Sequence, residues 1–162
     1  MGMLILGVIF MSFGSVIKDS KMSAEKKQSL MNMFKKFSDY DFIWKWTEEL
    51  PDLPKNVLVS SWLPQADILA HPNLKLFISH VGMGSFQETI CYKKPVVAIP
   101  VSGDQPLNGM EVKRLGIGEY IMFDNLNEKE LFDAVDSVLH DPKYTMAAQG
   151  NFFLVQHVQN LK

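Results

Sequence analysis

Four short clusters carry side chains whose types and spacing suit ligand chemistry. In Phe13-Gly14-Ser15 the glycine permits close backbone approach, and a serine hydroxyl with nearby N–H groups can hold a phosphate oxygen. An ordinary turn would use the same residues. In Trp62-Leu63-Pro64-Gln65 an indole face can stack on a flat base, while the glutamine amide both donates and accepts at a base edge. A Trp at a strand end is equally at home in a core. His80-Val81-Gly82-Met83-Gly84-Ser85-Phe86-Gln87-Glu88 reads as strand end, glycine turn and helix start. That order aims free N–H groups and the positive helix end at one point, which suits a diphosphate, with His80 as a further donor. Ser85-Phe86-Gln87-Glu88 is also a capping box, so Ser85 and Glu88 have a competing use in closing the helix. Asp104-Gln105 sets a carboxylate beside an amide, a pair able to hold neighbouring hydroxyls, or an Asp N-cap for the helix that follows.

The elements around these clusters alternate. Leu4–Ser12, Asp41–Trp46, Val57–Ser60, Leu74–Ser79, Pro95–Ile99 and Gly118–Phe123 read as strands. Helices are expected from Ser23 to about Phe37, Met83 to Tyr92, Gln105 to Leu115, after the capping box Asn127-Glu128-Lys129-Glu130, and from about Tyr144. Such alternation implies an α/β fold, a doubly wound parallel sheet of Rossmann-like type, as one domain over residues 1–162. Ligands bind beyond the carboxyl ends of such strands, and all four clusters lie there.

Composition excludes several classes. The chain has 162 residues, 47% apolar and 21% charged, with a net charge of −2. That charge argues against a nucleic-acid partner, and the pairs Lys26–Lys27, Lys35–Lys36 and Lys93–Lys94 are scattered rather than clustered. The single Cys91 allows no internal disulfide, and its apolar surroundings Phe86–Tyr92 predict a buried packing residue. Met1–Gly14 is apolar, but no basic residue precedes it and it is too short to span a bilayer, so no membrane span is expected. The four histidines lack ligand spacing, so no metal site is expected. A dinucleotide oxidoreductase is disfavoured because Gln87 stands where the third glycine of its fingerprint belongs.

Taken together, Trp62-Leu63-Pro64-Gln65, His71-Pro72, Phe77-Ile78-Ser79-His80, Gly82, Ser85, Glu88, Pro95, Pro100 and Asp104-Gln105 resemble the signature of the UDP-glycosyltransferase family, which includes animal glucuronosyltransferases. The resemblance implies the C-terminal, donor-binding lobe of a two-lobed GT-B glycosyltransferase. It implies that Trp62 stacks on uracil and Gln65 bonds its edge. It places the diphosphate on His80, Gly82 and Ser85 with help from Ser15, the ribose on Glu88, and the transferred sugar on Asp104 and Gln105. Two departures stand out. Val81 occupies a position where many members have Gly or Cys, an exchange expected to be tolerated, and Gly84 one where many have Asn.

The implied reaction is inverting transfer of a hexose or hexuronic acid from UDP to a small lipophilic acceptor. No catalytic base is assigned in this chain; the resemblance places it in an N-terminal acceptor lobe, supplied in cis or in trans. UDP-sugar is a co-substrate, and no other cofactor is expected. Animal members are endoplasmic-reticulum membrane proteins. The alternative is a non-catalytic nucleotide-sugar-binding subunit, or a shortened competitor of a full enzyme.

Overall fold

The computed structural model describes residues 5–15, 17, 22–48, 50 and 52–159, with side chains as far as residue 150. Six strands form one sheet: β1 Gly7–Ser12, β2 Tyr40–Lys45, β3 Val57–Ser60, β4 Leu74–Ser79, β5 Val96–Ala98 and β6 Gly118–Tyr120. Their order is β3-β2-β1-β4-β5-β6, and every neighbouring pair is parallel. Helices α1 Ala24–Lys36, α2 Gln65–Ala70, α3 Met83–Cys91, α4 Gln105–Arg114, α5 Glu128–His140 and α6 Pro142–Gln159 connect and cover them. The doubly wound parallel α/β fold expected from the sequence is the fold observed.

Parallel strands buried on both faces read as continuous apolar runs, because alternate side chains enter different cores. In β1, Ile9 and Met11 join the core under α1 and α5, while Phe10 joins the core under α2, α3 and α4. Phe10 stacks on Phe77, its register partner in β4, with ring centroids 5.1 Å apart. Burying one such ring contributes about 1.5–3 kcal/mol, so the β1–β4 seam is among the firmest parts of the molecule.

The starts of α1 and α5 follow the sequence signals. Ser23 accepts a hydrogen bond from the Lys26 N–H, and Asn127 from the Glu130 N–H, at 3.2 and 3.0 Å. Each cap contributes about 1 kcal/mol.

Some expectations need correcting. Helix α2 was not foreseen; it is only six residues long, too short to show a helical period. Strand β6 stops at Tyr120, and a 3-10 turn occupies Phe123–Asn125. Helix α6 begins at Pro142, whose fixed φ and missing N–H suit a first turn. Cys91 is exposed rather than buried, since the buried face of α3 carries Thr89 and Ile90 instead. The first four residues of the N-terminal apolar run lie outside the described residues, as does the side chain of His157. Among the described residues no helix is long and apolar enough to cross a membrane.

The β5–β6 pair tolerates no side chain at Gly118. A Cβ there would lie 1.7 Å from the Val96 carbonyl oxygen, which is backbone and cannot swing aside. Gly118→Ala is expected to cost more than about 2 kcal/mol, read as a lowered urea midpoint.

Candidate functional site

The sheet runs outward in opposite directions from its centre, with β1 leading to β2 and β3, and β4 to β5 and β6. Loops after β1 and β4 therefore part, and a crevice opens between them. His80 is the first residue beyond β4 and stands in that crevice, only 9% exposed. Its ring is wedged between two glycines. A Cβ on Gly14 would come within 2.9 Å of its Cε1, and one on Gly82 within 2.9 Å of its Nε2. Gly14 also has φ +60°, a left-handed conformation that glycine adopts freely.

Burial is the main influence on the His80 imidazole and holds its pKa below the ordinary value. The Ser12 backbone and Asp104 oppose the shift, and Lys45 reinforces it. Nδ1 is buried without a hydrogen-bond partner of acceptable geometry among the described residues. Leaving such an atom unpaired costs about 1–3 kcal/mol, a cost that a ligand or solvent oxygen would offset.

Helix α3 begins three residues after His80. Gly82 is its N-cap, with no side-chain cap. This settles the two uses of Ser85: it is not an N-cap but sits inside the first turn. Its hydroxyl accepts from the Gln65 amide at 3.2 Å, and the same amide donates to Glu88. Gln65, Ser85 and Glu88 thus converge, although α2 and α3 are separate elements. Gln65 keeps its amide carbonyl as an acceptor, and Glu88 keeps one carboxylate oxygen. The first-turn N–H groups of α3 remain open to an anion. Gly84 faces open space, with nothing within 4 Å of where its Cβ would be.

Val81 joins His80 to the helix with φ +51° and no exposed surface. A β-branched residue in this region is strained by about 1–3 kcal/mol, so the exchange expected to be tolerated is costly in backbone energy. Two hydrogen bonds hold it there. Its N–H donates to Ser79 Oγ at 3.0 Å, and its carbonyl accepts from Asn108 Nδ2 at 2.9 Å.

Trp62 is 73% exposed, which rules out the core alternative and leaves an indole face free to stack. Ser15 is exposed beside Gly14. Asp104 occupies the N-cap of α4 but makes no capping bond; its carboxylate accepts from Asn108 at 3.1 Å. Gln105 is turned inward. Its carbonyl accepts from the Val101 and Ser102 N–H groups at 2.9 and 3.2 Å, so only its NH2 group remains for a ligand.

Sequence reading missed Lys45 and Asn108. Lys45 ends β2 and lines a cleft of about 270 Å³ with Gly14, Ser15, Thr47 and Ser61. It acts electrostatically on His80 and has no carboxylate partner among the described residues. A charge closing an otherwise largely apolar strand, Tyr40–Lys45, was the available signal.

The family model described as "UDP-glucoronosyl and UDP-glucosyl transferase" matches residues 5–150. The chain is 35% identical over 144 residues to UDP-glycosyltransferase UGT5 of Dactylopius coccus, covering 88% of this chain and 27% of that protein. It is 36% identical over 149 residues to a putative UDP-glucuronosyltransferase, ugt-50, of Caenorhabditis elegans, covering 88% and 28%. An ecdysteroid UDP-glucosyltransferase of Mamestra brassicae nuclear polyhedrosis virus is 31% identical over 151 residues, covering 93% and 28%. The chain thus spans little more than a quarter of the length of these curated relatives. Among solved structures, the glycotransferase of kitacinnamycin superposes with a TM-score of 0.81 at 27% identity, covering 94% of this chain and 39% of that one.

Because burial lowers the His80 pKa, the unfolded chain takes up this proton before the folded chain does. Stability from neutral His80 is present at neutral pH and lost as pH falls below the ordinary histidine pKa of about 6.5. Urea midpoints from about pH 7.5 to about pH 5.5 should fall less steeply in His80→Asn than in the wild-type chain.

Proposed function

Since this chain belongs to the UDP-glycosyltransferase family, we propose that it is the donor-binding lobe of a two-lobed GT-B enzyme, holding a UDP-sugar across the β1–β4 crevice. The observation that carries this reading is the convergence at the start of α3. A buried His80 whose Nδ1 lacks a well-formed hydrogen bond, the uncapped helix N-terminus and the cluster Gln65–Ser85–Glu88 meet there.

Uridine would lie with its base against Trp62. Uridine carries a uracil N–H that the free carbonyl of Gln65 is suited to accept, and ribose hydroxyls whose protons the free oxygen of Glu88 is suited to accept. The diphosphate would face the α3 N–H groups, His80 and the Ser15 hydroxyl, with Lys45 supplying positive charge from β2. Asp104, exposed and anchored by Asn108, is the better placed of the sugar-binding pair; Gln105 would contribute only its NH2 group.

In the transfer we propose, an acceptor oxygen forms a bond to the anomeric carbon as the bond to the β-phosphate oxygen breaks, and the electron pair leaves with UDP. Negative charge then grows on the diphosphate. His80, Lys45 and the helix start face that charge already oriented, which is the condition for electrostatic stabilisation of a transition state. The base that takes the acceptor proton belongs, in this reading, to an acceptor lobe outside this chain. A hexose or hexuronic acid is the proposed transferred group, and a small lipophilic hydroxyl compound the acceptor. As a second reading, the chain is a nucleotide-sugar-binding partner for a separate acceptor lobe. Sugar transfer by the isolated chain would refute that second reading.

Titration calorimetry with UDP tests the site. The folded chain is expected to bind UDP, and Trp62→Ala to weaken it by about 1–3 kcal/mol, the worth of one stacked base. Absence of binding at millimolar UDP would overturn the proposal.

A further inference from the structure

We infer that Asn108 is a positioning residue that locks the strained diphosphate-binding loop and the sugar-binding carboxylate into one arrangement; the inference rests on the donor-site reading above. Its side-chain amide has two hydrogens, and both are used. One goes to the carbonyl of Val81 at 2.9 Å, the other to the Asp104 carboxylate at 3.1 Å. Asn108 is 7% exposed, and its bond to Val81 is buried away from competing water.

The need for the first bond lies in Val81. Its φ of +51° places a β-branched side chain in a region that glycine occupies without strain. Without restraint the peptide would relax toward negative φ. His80 on one side and the Gly82 cap of α3 on the other would turn with it, and the N–H groups would no longer share a focus with the imidazole. The Asn108 amide and Ser79 Oγ oppose that relaxation from the two ends of the residue.

The need for the second bond lies in Asp104, which is exposed, makes no capping bond to α4 and follows Gly103 at φ +67°. Asn108 stands one helical turn further on and fixes the carboxylate toward the crevice. Helix α4 is itself seated firmly. A Cβ on Gly109 would lie 2.3 Å from the Tyr120 ring, so helix and β6 are in close contact. Asn108 therefore ties both binding loops to a rigid element.

The test is a mutant cycle read by calorimetry with UDP and with UDP-glucose on the full 162-residue chain. Asn108→Ala is expected to weaken UDP about tenfold and to lower the ratio of UDP-glucose to UDP affinity. In the Val81→Gly background, where the left-handed turn is unstrained, the same substitution should weaken UDP by no more than about twofold. The lowered UDP-glucose ratio should persist there, because Asp104 is still released. A uniformly structural role would predict equal losses in both backgrounds, and that result overturns the inference, as does wild-type UDP affinity in Asn108→Ala. Hydrogen exchange of the wild-type chain gives a reading that needs no variant. The Asn108 side-chain amide protons should exchange slowly with solvent, and rapid exchange of both would overturn the lock. No UDP binding by the wild-type chain would overturn the donor-site reading itself; binding with an unaffected Asn108→Ala would overturn this inference alone.

Discussion

The crevice depends on one steric fact: the His80 ring fits only because both of its backbone neighbours are glycine. Gly14 follows β1 and Gly82 follows β4 at the start of α3, and the two strands are distant in sequence and adjacent in the sheet. Any side chain at either position would push the imidazole out of the space between β1 and α3. Its depth also explains its electrostatics, because desolvation disfavours the charged ring and lowers its pKa.

The helix starts differ in how their first turns are closed. Helices α1 and α5 close their first turns with Ser23 and Asn127 and pack against the opposite face of the sheet. Helices α3 and α4 begin at the crevice without a side-chain cap. The missing cap at α4 forgoes up to about 1 kcal/mol of local stability, and glycine at the α3 N-cap a few tenths. Val81 adds backbone strain of similar size, and the unpaired His80 nitrogen adds more. These costs gather within a few residues, while the β1–β4 seam stacks Phe10 on Phe77 and shifts register only at the start of β1, between Val8 and Ile9. A packed sheet seam thus supports a locally unfavourable loop.

Much of the fold was legible because the relevant signals are local. The apolar run of β1, the cap at Ser23 and the box at Asn127 each act within one turn or one strand. Their elements were found within a few residues of the expected bounds. Helix α2 was hidden because six residues give no period. The capping box at Ser85 was one of two uses the sequence left open, and the helix start expected at Met83 is the one observed. The pattern of the box is satisfied by type and spacing, yet the chain enters α3 at Gly82 because Val81 is held in a left-handed turn by groups from β4 and α4. Lys45 was passed over because nothing in its own strand shows that His80 lies beside it.

The sequence by itself determined the family and the parallel α/β architecture, because these rest on residue type and short-range spacing. Only the tertiary structure decided how the candidate side chains are oriented and what each is free to do. It turned Gln105 inward, left Trp62 in solvent, joined Gln65 to Ser85 and Glu88, and enlisted Lys45 and Asn108. Those outcomes depend on contacts between elements up to tens of residues apart, and no local pattern encodes which hydrogen bond a buried amide will make once the strands have assembled.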